Sequence, residues 1–283
     1  MGIASSIRNT NMTSGLLEAA CILFAFTTAV LIRREWRRHK RHHPKHPIPA
    51  VSLVELEDRF NWDSPQRARN GVVYFTSNAN NRLPATPSDL ETYVLAALAK
   101  DAHHMFEFGT CTGRTTYLWG LNSPEEARIT TLTLGPEVDS MKLGDDMRRA
   151  DIEHALSEST FATFVYSGTP VATKVEQLFQ DSATLDTTSY RQKMDLIFID
   201  GGHCYAYVKN DSLKALEMVA PGGKIIWHDY RGARSKETVG VYRYLNELHT
   251  THPLQLLEGT SLVFYREPGG RTDGQATASS RAA

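Results

Sequence analysis

The residues with chemistry in them fall at the ends of apolar runs. Residues 105–116, Met-Phe-Glu-Phe-Gly-Thr-Cys-Thr-Gly-Arg-Thr-Thr, begin as such a run, meet the acidic Glu107, and turn through Gly109 and Gly113 into a segment of helical periodicity. A strand, a tight glycine turn and a helix start make a nucleotide-type pocket. Glycine lets the backbone approach a ligand, and the N–H groups of the first helical turn face it. The same pattern also joins strands to helices that bind nothing. Gln180-Asp181-Ser182 closes another apolar run, Asp200-Gly201-Gly202-His203 a third, and His228-Asp229-Tyr230 a fourth. His203 can accept a proton near neutral pH, or it can do no more than hydrogen-bond its own loop. His228 is the second histidine of this kind, with packing beneath the site as its alternative. Cys111 and Cys204 adjoin these stretches, but cysteine is more often a small core residue than a nucleophile.

These residues need a scaffold, and the pattern between them supplies one. A helix starts at Thr86-Pro87-Ser88-Asp89, with Leu90, Tyr93, Val94, Ala97 and Leu98 on one face. Strands are expected at 103–108, 129–134, 175–179, 194–199 and 224–227, and helices at 114–121, 205–219 and 238–249. The polar stretch 137–160 also reads as helical. Pro221-Gly222-Gly223 reads as a turn. Two last strands, 254–258 and 261–265, are separated only by Gly259-Thr260, too short a link to cross over, so they must be antiparallel. Alternating strands and helices with apolar central strands make a doubly wound, mostly parallel sheet, which binds ligands at the carboxyl ends of its strands. Glu107, Asp181, Asp200, His203, His228 and Asp229 all belong to those ends.

At 283 residues, net charge −1 and 41% hydrophobic content, the chain is ordinary for one sizeable domain with extensions, and nothing in it calls for nucleic acid. Three dispersed cysteines without C-x-x-C spacing argue against a disulfide framework or zinc cluster and fit a reducing compartment.

Residues 15–32 are apolar apart from Glu18 and two threonines. As a helix they would span about 27 Å, close to the ~30 Å of a bilayer core. The basic run Arg33 to His43 follows, with Trp36 at the interface, so the expectation is a single-pass membrane anchor with the downstream domain on the cytoplasmic side. A cleaved signal peptide fits less well, because its basic region should come first. A buried amphipathic helix and a myristoylated Met1-Gly2 start are the other readings. The expected organisation is a tail over 1–14, an anchor over 15–32, a basic Pro/His linker over 33–50, the domain over 51–267 and a disordered tail over 268–283.

In this order the strand-end motifs resemble the class I S-adenosylmethionine (AdoMet) dependent methyltransferases, in particular the small-molecule O-methyltransferase branch labelled methyltransferase domain 24. The resemblance rests on Phe106 to Thr116, Gln180 to Ser182, Asp195 to His203, Ala220 to Gly223 and Trp227 to Tyr230, and covers about residues 85–266. It implies a Rossmann-like sheet of seven strands, the last antiparallel, and AdoMet as methyl donor. It further implies that Glu107, Gly109, Thr110 and Gly113 line the methionine and ribose, that Asp181 and Ser182 border the adenine, and that Asp200 lies near the donor's amino group and the acceptor. Where the family has an acid for the ribose, at the end of the second strand, this chain has Thr133, with Glu137 as a substitute. Catechol-type relatives bind Mg²⁺ at the positions of Asp200 and Asp229. Here His228 and Tyr230 flank the second acid, and orienting His203 or capping the next helix is its alternative role. His203, Asp200 and His228 are the expected catalytic residues.

The expected function is O-methylation of a small molecule, sugar or lipid-linked acceptor. Arg231 and Arg234 would meet an anionic acceptor or simply lie in solvent. Besides that acceptor, the partners expected are the membrane and a second copy of the chain. A non-catalytic methyltransferase-like binding protein is the rival reading, motivated by Thr133. An NAD-dependent oxidoreductase is disfavoured, because Gly109-x-x-x-Gly113 lacks the G-x-G-x-x-G order.

Overall fold

The structure, a computed structural model, describes residues 21–34, 47–61, 63–65, 71–73, 88–135, 149–159 and 161–269. The chain divides into two compact units, Met1–His46 and Pro47–Ala283. In the first unit, helix α1 covers residues 21–34 with almost every side chain exposed. No helix among the described residues is long and apolar enough to cross a membrane. The expected anchor is therefore not seen as a spanning helix, and its first six residues, 15–20, lie outside the described residues. So do most of the basic linker, Glu137 and the tail beyond residue 269.

In the second unit the elements run β1 (Ala50–Val51), α2 (Leu53–Leu56), α3 (Asp89–Ala99), β2 (His104–Phe108), α4 (Arg114–Asn122), β3 (Arg128–Thr133), α5 (Arg149–Glu158), β4 (Val175–Phe179), β5 (Met194–Ile199), α6 (Tyr205–Met218), β6 (Val219–Trp227), α7 (Val239–Leu248), β7 (Gln255–Leu257) and β8 (Val263–Arg266). They form one eight-stranded sheet in the order β1-β7-β8-β6-β5-β2-β3-β4. β8 alone is antiparallel to its neighbours, β6 and β7.

The expected count of seven strands is corrected to eight by β1. Ala50–Val51 adds an edge parallel to β7: Pro49 and Val51 carbonyls accept from Leu256 and Glu258 N–H groups. Two residues are too few for any periodicity to show. The expected turn at Pro221-Gly222-Gly223 lies instead inside β6, as an irregularity. Met194 pairs with Val219, yet Leu196 pairs with Lys224, so surplus residues loop out, with Gly222 at φ +79°.

Alternation along the central strands packs both faces of the sheet. Phe106, Phe108, Ile197, Ile199, Ile225 and Trp227 point to the α6–α7 side with Val208, Ala215, Tyr244 and Leu245. Met105, Ile129, Leu196, Phe198 and Ile226 point the other way, onto Val94, Leu98 and Trp119 of α3 and α4. Each such large side chain contributes roughly 1.5–3 kcal/mol by leaving water. At the lower rim Asp195 accepts the N–H groups of His103 and His104 at 2.8 and 2.9 Å, which fixes β2 against β5. Because β2 to β6 are all parallel, their carboxyl ends share one edge.

Candidate active site

The turn after β2 is shaped by positions that only glycine fills easily. Gly109 has φ +99°, its N–H reaches Leu132 O at 2.9 Å, and a Cβ there would run into the Asp200 backbone. The turn is thus pressed directly onto the end of β5. Gly113, at φ +76°, starts α4, and an added Cβ would lie 2.7 Å from the Tyr166 ring. No side chain caps α4, so the helix starts directly on the glycine turn, with its dipole's positive end at the sheet edge. Between the glycines, Cys111 holds φ +44°, an uncommon conformation of the kind concentrated at ligand-binding turns.

Beneath this turn Glu107 is buried. Its Oε2 accepts the hydroxyls of Thr116 and, at 2.6 Å, Thr131. Thr131 also lies 2.8 Å from Thr110 Oγ1, which accepts from the Gln177 amide at 3.1 Å, and the Tyr166 hydroxyl donates to Gln177 Oε1 at 2.6 Å. Burial pushes the Glu107 carboxyl up to about 8; the two threonine hydroxyls oppose that rise, and the nearby charge of Asp200 adds to it.

Thr133 ends β3 and is itself buried. Beyond β4, Asp181 caps a short turn, accepting from Ala183 N–H at 2.8 Å, and its second oxygen takes the Tyr207 hydroxyl at 2.7 Å. Ser182 bonds to Asp211, buried on α6, whose carboxyl burial raises to about 6. The carboxylate of Asp181 and the hydroxyl of Ser182 are thus both engaged with α6. An aromatic wall stands beside them: Phe164 and Tyr166 stack with centroids 5.3 Å apart, and half-exposed Phe179 lies against Gly135.

At the ends of β5 and β6 the acids and histidines interlock. His228 Nδ1 lies 2.8 Å from Asp200 Oδ1, and its Nε2 lies 3.5 Å from Glu91 Oε2, an ion-pair distance rather than a hydrogen bond. Burial would depress this imidazole, but Asp200, Glu91 and Asp229 together hold it well above the ordinary range. His203 Nε2 is 3.0 Å from Asp229 Oδ2, while Arg231 Nη2 is 2.7 Å from Asp229 Oδ1. Asp229 itself holds φ +63°. Burial opposes its ionisation, yet His203, His228 and Arg231 keep its carboxyl well below the usual range. Ligand atoms of Asp200, His203 and Asp229 all lie within 4.8 Å of one another. Two carboxylates and an imidazole at that spacing fit a divalent cation.

The expected residues therefore come together in two groups on one edge. Glu107, Gly109, Thr110 and Gly113 form the turn, and Asp200, His203, His228 and Asp229 form the cluster that Gly109 touches. Thr133 stands on the same edge; Asp181 and Ser182 do too, but their side chains turn to α6. Sequence reasoning missed Glu91, Gln177, Tyr166, Tyr207 and Ser261. Glu91 carried one legible signal, the capping box Ser88-x-x-Glu91, which says nothing of a site.

Residues 106–230 match the family described as Methyltransferase domain. Among curated proteins none matches the sequence. Among solved structures, the chain is similar to the O-methyltransferase TomG from Streptomyces achromogenes, bound to SAM, at 18% identity over 66% of this chain and 84% of that one, with a TM-score of 0.45. It is also similar to an O-methyltransferase from Bacillus cereus in complex with SAH, at 19% identity over 67% and 86%, TM-score 0.42. A third is the N-methyltransferase NodS from Bradyrhizobium japonicum, at 14% identity over 63% and 93%, TM-score 0.41.

Proposed function

We propose that this AdoMet-dependent methyltransferase transfers the donor methyl to a hydroxyl oxygen of a small acceptor, with His203 as the base. One observation carries the reading: Asp200, His203, His228 and Asp229 converge at the ends of β5 and β6, against the Gly109 turn. With AdoMet bound, the donor would supply its sulfonium methyl to an acceptor oxygen held in line with it, sulfur keeping the C–S electron pair, and His203 would take the acceptor's proton. Asp229 stabilises the resulting imidazolium and orients the ring. His228, held by Asp200 and buried, orients that carboxylate rather than exchanging protons with substrate.

The turn 109–113 and the start of α4 would take the methionine end of AdoMet, and the aromatic wall of Phe164, Tyr166 and Phe179 the adenine side. Asp200 and Asp229 would hold a divalent cation such as Mg²⁺, which supplies charge to lower the acceptor hydroxyl's pKa. In that arrangement His203 completes the ligand set instead of acting as base. Sugars and lipid-linked molecules are the acceptor classes we favour, the latter if residues 15–32 anchor the chain in a membrane with the domain in the cytoplasm. The loop cations Arg231 and Arg234 suit an anionic group on either.

Calorimetric titration with S-adenosylhomocysteine tests the cofactor assignment: saturable binding is expected, and none up to millimolar concentration rejects it. Incubation with methyl-labelled AdoMet and cell extract, with and without EDTA, then separates the two roles of His203. Loss of transfer with EDTA and recovery with Mg²⁺ favours the ligand, and indifference to EDTA the base.

A further inference from the structure

Glu91 stands on α3, ahead of the segment that matches the methyltransferase domain, and is 5% exposed. As the third residue of a helix capped by Ser88, it closes the cap in the ordinary way, its Oε2 accepting the Ser88 N–H at 2.8 Å. A cap on the surface does that with one oxygen in water. Here the carboxylate is buried, which opposes ionisation, and only its partners, His228 first, hold its pKa well below the usual range. Burying a charge costs several kcal/mol in itself, far more than a helix cap returns.

The remaining contacts all lead to the cluster. Oε1 accepts both the N–H and the hydroxyl of Ser261, at 2.8 and 2.9 Å. Ser261 Oγ in turn accepts the N–H of Asp229 at 3.3 Å, and Ser261 O accepts that of Tyr230 at 3.1 Å. Ser261 therefore braces the one residue of the cluster with a left-handed backbone, Asp229. Such a conformation costs of order 1–3 kcal/mol and persists only where surrounding bonds enforce it. On the other side Oε2 faces His228 Nε2, whose opposite nitrogen meets Asp200.

We propose that Glu91 is a positioning residue for methyl transfer: one buried carboxylate sets Asp200 through His228 and Asp229 through Ser261. The chain segment before the matched domain thereby becomes part of the active site. This rests on the methyltransferase reading above. Glu91 touches neither the glycine turn nor the aromatic wall in any described contact, so its loss should spare cofactor binding and slow transfer.

The experiment uses the full chain as wild type, Glu91→Gln, His228→Asn and the double variant. Each is measured for thermal unfolding, S-adenosylhomocysteine affinity and label transfer from AdoMet into extract. Glu91→Gln should lose about tenfold or more in rate at an affinity within about twofold of wild type. Because Glu91 acts partly through His228, the double variant should lose less than the product of the two single losses. Multiplicative losses, an unchanged rate, or an affinity that falls with the rate would each overturn the proposal. Should Glu91→Gln not fold, Ser261→Ala severs the Asp229 arm alone and should slow transfer about threefold, full rate being the refuting result. If wild type binds no S-adenosylhomocysteine, the methyltransferase reading fails by itself. Crystal structures of wild type and Glu91→Gln then decide the positioning role, an unmoved Asp200 and Asp229 counting against it.

Discussion

Replacing Glu107 by Gln removes a titratable proton while leaving an oxygen that can still accept from Thr116 and Thr131, so the substitution isolates ionisation from shape. The carboxyl rises from the ordinary 4.5 to about 8 because the site is buried. The folded state therefore holds this proton more tightly than the unfolded chain does. That contribution to stability is full below pH 4.5 and is lost as pH climbs through 8. A rise of this size corresponds to an upper bound of ~5 kcal/mol, and relaxation and water entry bring the working expectation to about 2–5 kcal/mol. For a domain of this size each kcal/mol is worth roughly 2–4 °C of melting temperature. Melting curves of the cofactor-free protein, taken from pH 5 to pH 9, should show wild type losing about 5–15 °C more than Glu107→Gln. The buried Asp211, raised to about 6, is present in both proteins and cancels in the difference. Parallel melting profiles across that range would mean Glu107 ionises normally, and the turn would then rest on some other foundation.

Gly240→Ala places a Cβ into the backbone of residues 203–205, so it should displace His203; about 1–3 kcal/mol lower stability and a slowed transfer rate are expected from melting and label assays. His203→Ala should reduce transfer about 10²–10⁴-fold if the imidazole is the base, with S-adenosylhomocysteine affinity unchanged by calorimetry; equal loss of both would place it in the binding pocket instead. Thr133→Asp offers the ribose a carboxylate and should tighten AdoMet about tenfold, a hydrogen bond to a charged group being worth ~1.5–3 kcal/mol less its desolvation; unaltered affinity would put the ribose clamp elsewhere.

The strand-end chemistry was legible because a buried parallel strand writes itself plainly in sequence. Met194 to Ile199 is an unbroken apolar run apart from Asp195, and Val175–Phe179 lies where its bounding turns place it. Once such strands are ordered, their last residues must share an edge, so Glu107, Asp200 and Asp229 could be grouped without any contact being known. What was not legible depends on encounter. Glu91 and Ser261 are 170 residues apart, and neither carries a pattern that points to the other. Gln177 reads as an ordinary strand residue until β4 is laid beside β3, where its amide meets Thr110 and its carbonyl meets Tyr166. The direction of a side chain is equally hidden. Asp181 sits where an adenine neighbour was expected, but Tyr207 on α6 claims one of its oxygens.

The two histidines show why residue type alone could not divide the labour. His203 and His228 each stand within three residues of a strand-end acid, and each is paired with a carboxylate at 3.0 Å or less. What separates them is the second partner. His228 is buried between Asp200, just past β5, and Glu91 on α3. Losing the Nε2 proton would leave the buried Glu91 carboxylate facing a neutral ring, and losing the Nδ1 proton would break the 2.8 Å pair with Asp200. A group so held is a poor base and a good strut. The side chain of His203 retains 17% of its exposure and pairs at 3.0 Å with Asp229, with the Asp200 carboxylate in the same cluster. It can gain a proton with a counter-ion already in place, which is the condition a general base requires. Exchanging the two environments would exchange the two roles.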